Sequence, residues 1–208
     1  MHAFDIHPDD FKTISTCNQG PKLKSPLITC IPASKEAAVS AASRVQTEVF
    51  IFSDCSGQDG QVGIMAVLLR DGVEHSMLRV CQGSEEHHTV FEAELLGLSL
   101  AVELVKSESH VQTVTIRTDS QAAILATRHD RGTPGQYLVD GLYEQIAAAQ
   151  CRHPRISIEL RWTSGHEGIA GNERADEEAK LAAQGKSSGQ WQLPRICRQE
   201  LPLSWSAA

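Results

Sequence analysis

Four carboxylates and one histidine stand where this sequence could do chemistry. Asp54 ends the run "FIFSD" and Asp119 ends "TIRTD"; each follows apolar or β-branched residues, so the chain turns at the acid. Glu94 lies inside the mostly apolar "TVFEAELLGLSLAVELVKS", with Glu92, two positions earlier on a different helical face, as the alternative. Asp176 belongs to "SGHEGIAGNERADEEAK", ten residues after His166 on a turn punctuated by Gly165, Gly168 and Gly171. Three glycines in so short a loop mark a backbone that must bend or be closely approached. Carboxylates near apolar surface are costly unless cations or hydrogen-bond donors meet them. Four that converge repel one another, push up each other's pKa and call for divalent metal. Hard oxygen ligands without histidine or cysteine spacing point to Mg²⁺, with Mn²⁺ as the alternative, and away from zinc. Two such ions about 3.5–4 Å apart activate a water and stabilise the leaving oxygen of a phosphodiester.

Each acid also has an ordinary explanation when read alone. Asp54 can cap a turn, Asp119 can be the N-cap of "SQAAILA", and Asp176 can serve only the helix dipole. Asn172 reads as the N-cap of the last helix, with Glu173, Asp176 and Glu177 in its first turn and Ala175, Ala179 and Ala182 as its apolar stripe. Of Glu92 and Glu94, one is expected to be merely exposed. "EEHH" (Glu85 to His88) reads as solvent-exposed residues ahead of a helix. A cysteine hydrolase built on Cys55 and His166 lacks any oxyanion or thiolate signature.

The elements that must position these residues follow from periodicity. "TEVFIFSD", "VGIMAVLLRDG" and "VEHSMLRVC" predict three successive antiparallel strands, the second ending in an Asp-Gly turn. A long helix over 89–107 follows, then the strand "VQTVTIRTD", the short helix "SQAAILATRHD" and a break at "RGTPGQ". The helix "YLVDGLYEQIAAAQC", the strand "RISIELRWTS" and a last helix ending near Ala183 complete the unit. The expectation is an α/β domain over 47–184 with a mixed five-stranded sheet, three antiparallel strands preceding alternating helices and strands. Residues 1–46 read as an irregular extension or linker, and 185–208 as an irregular tail.

Bulk properties narrow the partners. The 208 residues are 41% hydrophobic and 22% charged, as in a soluble chain with a real core. No apolar run approaches the ~18–20 residues of a membrane span, and "MHAFDIHPDDFKTIS" is no secretory signal, so no membrane association is expected. Six cysteines without a C-x-x-C pair fit an intracellular, reducing compartment, nucleus or cytoplasm. The net charge is −7, and residues 47–184 carry 11 Lys and Arg against 21 Asp and Glu, leaving the flanks slightly basic. Such a charge opposes tight, purely electrostatic nucleic-acid binding, but not a site where clustered acids hold cations that meet phosphate.

Together, "FSDCSG", "EAELLGL", "RTDSQAA" and "WTSGHEGIAGNERAD" resemble, in order, the motifs of the type 1 ribonuclease H family, most closely the domains of LINE-type retrotransposons. The resemblance covers about two-thirds of the chain and implies a ribonuclease H-like fold. It implies that Asp54, Glu94, Asp119 and Asp176 are metal ligands; Glu94 is selected over Glu92 because Leu95 follows it. His166 would be a mobile loop residue assisting proton transfer or product release. Ser56, Thr89, Ser120 and Asn172 would contact substrate or support the site. The implied reaction is two-metal hydrolysis of the RNA strand of RNA–DNA hybrids, leaving 5′-phosphate and 3′-hydroxyl ends. A reverse transcriptase domain outside this chain would be the implied partner. Three departures stand out: Cys55 replaces a glycine, Val90 and Phe91 replace hydrogen-bonding residues, and the basic protrusion of some cellular members is missing. They define the alternative, a catalytically weak or inactive nucleic-acid-binding or scaffold domain of the same fold.

Overall fold

Two Asp-Gly pairs set the first half of the fold. Asp59 and Gly60 (φ 52° and 72°) and Asp71 and Gly72 (φ 52° and 78°) occupy the left-handed region at both central positions of two-residue turns. That twist matches the twist of flanking strands, so each pair closes a tight hairpin. In the computed structural model, which describes residues 22–42, 47–128, 135–165, 170–199 and 201, these turns join three strands into a meander. The elements in chain order are β1 (Ile28–Cys30), α1 (Lys35–Ala42), β2 (Val49–Gln58), β3 (Gln61–Arg70), β4 (Val73–Ser84) and α2 (Val90–Ser107). Then come β5 (Thr113–Thr118), α3 (Gln121–Ala126), α4 (Gln136–Arg152), β6 (Ser157–Trp162) and α5 (Ala170–Ala183).

The sheet order is β1-β6-β5-β2-β3-β4. β2 pairs antiparallel with β3 and parallel with β5, and β5 pairs parallel with β6. Strand alternation divides the core in two. Ile51, Ile64, Ala66 and Leu68 pack with α2 and α4 on one face. Phe52, Met65 and Val67 pack with Ala175 and Ala179 of α5 on the other. α5 lies so close to the sheet that a Cβ at Gly63 would fall 2.0 Å from the Ala179 carbonyl oxygen. A Cβ at Gly171 would fall 2.3 Å from the Phe52 ring. Glycine at both places permits the contact.

Among the described residues the sheet has six strands where five were expected. The sixth, β1, comes from the segment read as irregular and pairs parallel with β6, Thr29 opposite Leu160. Three residues are too few to carry a visible period. Gln150 of α4 anchors this extension, accepting from the Lys24 amide at 2.7 Å and donating to the Ser25 carbonyl at 2.8 Å. The tail after α5 is also seated. Ser187 and Ser188 hydrogen-bond the β4 edge at Cys81 and Arg79, and Leu193 is buried in the main core. Among the described residues no helix is long and apolar enough to cross a membrane, and Cys30, Cys55, Cys81, Cys151 and Cys197 are free thiols.

Candidate active site

Parallel pairing of β2 and β5 brings two of the candidate acids together. Asp54 lies within β2, and Asp119 is the first residue past β5, where the chain turns into α3. Glu94, in the second turn of α2, reaches the same point from the helical layer. Each of the three carboxylates places an oxygen within 4.8 Å of the others. A cleft of about 600 Å³ opens over them and is also lined by Ser56, Asn172, Asp176 and Lys180.

The cluster carries the electrostatic strain expected of converging acids. Burial is the largest cause raising Asp54 to a pKa of about 7; Asp119 and Asp176 add repulsion, while the Cys55 amide and Lys180 oppose it. Glu94 is likewise pushed up to about 7 by burial and by Asp119, against hydrogen bonds from Cys55 and Thr118. The Cys55 thiol donates to Glu94 Oε1 at 3.3 Å and the Thr118 hydroxyl to Oε2 at 3.3 Å. Three hard-oxygen donors around one point, two with their anionic forms penalised by burial and repulsion, form a set that a divalent cation fits. The family model that describes RNase H matches residues 46–184.

The chain belongs to the RNase H family. Ribonuclease H of Cereibacter sphaeroides is 31% identical over 144 residues, which cover 64% of this chain and 93% of that protein. The Roseobacter denitrificans enzyme is 31% identical over 147 residues, with 64% and 93% covered. Among solved structures, RNase H1 of Halobacterium salinarum aligns over 66% of this chain and 98% of its own, at 20% identity and a TM-score of 0.47. The family match and the two curated relatives make the chain a ribonuclease H, with an acidic cluster suited to metal.

In this RNase H, local hydrogen bonding separates site residues from structural ones. Neither glutamate of the pair is exposed, and Glu92 is the more deeply buried. It is 2% exposed, and its carboxylate accepts from the Thr89 amide at 3.0 Å while Thr89 Oγ1 accepts from the Glu92 amide at 3.3 Å. That reciprocal capping box explains both residues by the start of α2 and leaves Glu94 facing the cleft. Ser120, not Asp119, caps α3, its Oγ accepting from the Ala123 amide at 3.2 Å.

Asn172 is not the N-cap of the last helix, because α5 starts at Ala170. Its side-chain amide instead reaches back to the Ser164 carbonyl at 3.2 Å, tying the helix to the loop after β6. Asp176 therefore sits in the second turn. It lines the cleft but lies outside the three-carboxylate cluster and pairs with Lys180 Nζ at 2.7 Å. His166 lies outside the described residues. Gly165, just before it, approaches so near that a Cβ would stand 2.8 Å from Asp119 Oδ2.

Sequence reasoning missed three supporting residues. Thr118 braces Glu94 and also accepts from the Ser120 amide at 3.2 Å. Trp162 donates its indole N–H to the Asp119 carbonyl at 2.8 Å, fixing the strand end that carries the acid. Lys180 had a visible signal, since a lysine four residues after an aspartate on a helix can reach it.

Proposed function

We propose that this RNase H cleaves the RNA strand of RNA–DNA hybrids with two divalent cations, Mg²⁺ foremost, leaving 5′-phosphate and 3′-hydroxyl ends. The convergence of Asp54, Glu94 and Asp119 at the floor of an open cleft carries the reading. Bound there, the cations would ionise a water and neutralise charge developing on the phosphate. The chain's own residues hold and orient. Asp54, Glu94 and Asp119 would supply oxygens to the cations, and Asp176, now paired with Lys180, would be the fourth ligand. Cys55 and Thr118 keep the Glu94 carboxylate in one orientation, and Trp162 keeps Asp119 in place. His166, assigned on the resemblance alone, would assist proton transfer or product release. Ser56 and Asn172 line the cleft where they can meet substrate; Thr89 and Ser120, which cap α2 and α3, would lie beside the phosphate backbone on the resemblance alone.

We further infer that a reverse transcriptase, as in LINE-type elements, presents the hybrid to this domain. A unit with 11 basic against 21 acidic side chains is poorly suited to capturing hybrid by charge alone. The test is end-group analysis of a hybrid labelled in either strand, beside double-stranded DNA of the same sequence. RNA-strand cutting with 5′-phosphate ends, stimulated by a fused reverse transcriptase, is the expected result. Cutting of the DNA strand, or 5′-hydroxyl ends, would overturn it.

A further inference from the structure

The segment after α5 crosses the edge of the sheet and presents a tryptophan to solvent on a rigid mount. Trp191 is 84% exposed, the most exposed of the large apolar side chains among the described residues. It is held in place on both sides. Upstream, the Ser188 amide donates to the Arg79 carbonyl at 2.8 Å, and Ser188 Oγ accepts from the Arg79 amide at 3.0 Å. Downstream, Leu193 is 3% exposed. The Arg198 guanidinium lies 5.8 Å from the Trp191 ring centroid, fixed by bonds to the Leu193 and Trp191 carbonyls at 2.9 and 3.2 Å.

An indole costs free energy when left in water, and ordering an arginine beside it costs side-chain entropy. A local stretch that does both presents a surface for a ligand with a flat π-face and negative charge. The charge pattern agrees. Residues 185–208 carry Lys186, Arg195 and Arg198 against one acidic side chain, Glu200, whereas 47–184 are strongly acidic. We propose that the Trp191–Arg198 pair is a stacking platform for single-stranded nucleic acid, a base lying on the indole and its phosphates facing Arg195 and Arg198. Bases paired within a duplex do not expose a face to stack, so the platform selects unpaired strand. It rests on the reading above only in supposing that the substrate carries such a strand, and it supplies grip that the acidic domain lacks.

The test is fluorescence anisotropy of a fluorescein-labelled thymidine 12-mer in chelator, with the full chain as wild type, Trp191→Ala, Arg195→Gln and Asp119→Asn. Stacking of one base predicts that Trp191→Ala weakens binding by ~10-fold or more. Arg195→Gln should flatten the salt dependence, and Asp119→Asn should bind at least as well as wild type. Equal affinity of wild type and Trp191→Ala, or no binding by either, overturns the platform whatever the nuclease activity. Loss on Trp191→Ala in a protein that cuts no hybrid would support the platform and sink the nuclease reading alone.

Discussion

The Cys55 thiol donates to Glu94 Oε1 across 3.3 Å, so the residue that departs from the family's glycine is hydrogen-bonded to a candidate metal ligand. β2 runs unbroken through Cys55 to Gln58, so the side chain is accommodated without interrupting the strand. The side chain at this departure braces the cluster. Cys55→Ser, which keeps a donor, should retain activity. Cys55→Gly should raise the Mg²⁺ concentration for half-maximal cleavage by roughly 2- to 10-fold, the scale of one ordinary hydrogen bond. A metal titration of both variants checks this. Burial and the neighbouring carboxylates push the thiol pKa up, so iodoacetamide should label exposed Cys151 well before Cys55.

The raised pKa values fix the sign of a pH effect. Asp54 and Glu94 titrate near 7 in the folded chain and near 3.8 and 4.5 when unfolded. Between about pH 4 and 7 the folded state therefore binds more protons than the unfolded one, and this contribution to stability falls as pH rises. In chelator, the difference in Tm between Asp54→Asn and wild type should grow in the variant's favour across that window and level off above it. Saturating Mg²⁺ should shrink the gap by stabilising wild type. A gap that is constant with pH would contradict the strain at the cluster.

If Asp176 is a metal ligand as proposed, Lys180, which now pairs with it, would compete with the metal. Its pKa is raised, chiefly by its hydrogen bond to that carboxylate. Lys180→Gln should free Asp176 and lower the Mg²⁺ requirement by a few-fold, measured as half-saturation in the cleavage assay. An unchanged requirement would mean that Asp176 does not take metal.

Gly63 offers a test of the scaffold apart from the chemistry. A Cβ there would meet backbone atoms of α5, Ala179 O at 2.0 Å and Ala183 N at 2.2 Å, which cannot rotate away. Gly63→Ala should cost about 1–3 kcal/mol through overpacking, a fall in Tm of roughly 2–12 °C in thermal melts.

The sequence carried the order of elements because Asp-Gly turns and long apolar periods are local signals. Glu94 could not be separated from Glu92 by periodicity, since the difference lies in the capping box with Thr89. β1 was invisible because three residues have no period and its pairing is with a strand about 130 residues away. Thr118 and Trp162 were missed for a related reason. Their roles are contacts across elements, with Glu94 and with the Asp119 carbonyl, which spacing does not encode. Cys55 was legible as an oddity, but its partner was not.

The most direct test of the central claim is RNA-strand cleavage of a hybrid by wild type and Asp119→Asn, titrated with Mg²⁺ and Mn²⁺ and reversed with chelator. Wild type should cut only with metal, and the variant should lose cutting while keeping its fold, with a Tm no lower than that of wild type in chelator. A folded wild type that cuts nothing with either metal, or an Asp119→Asn protein as active as wild type, would contradict it.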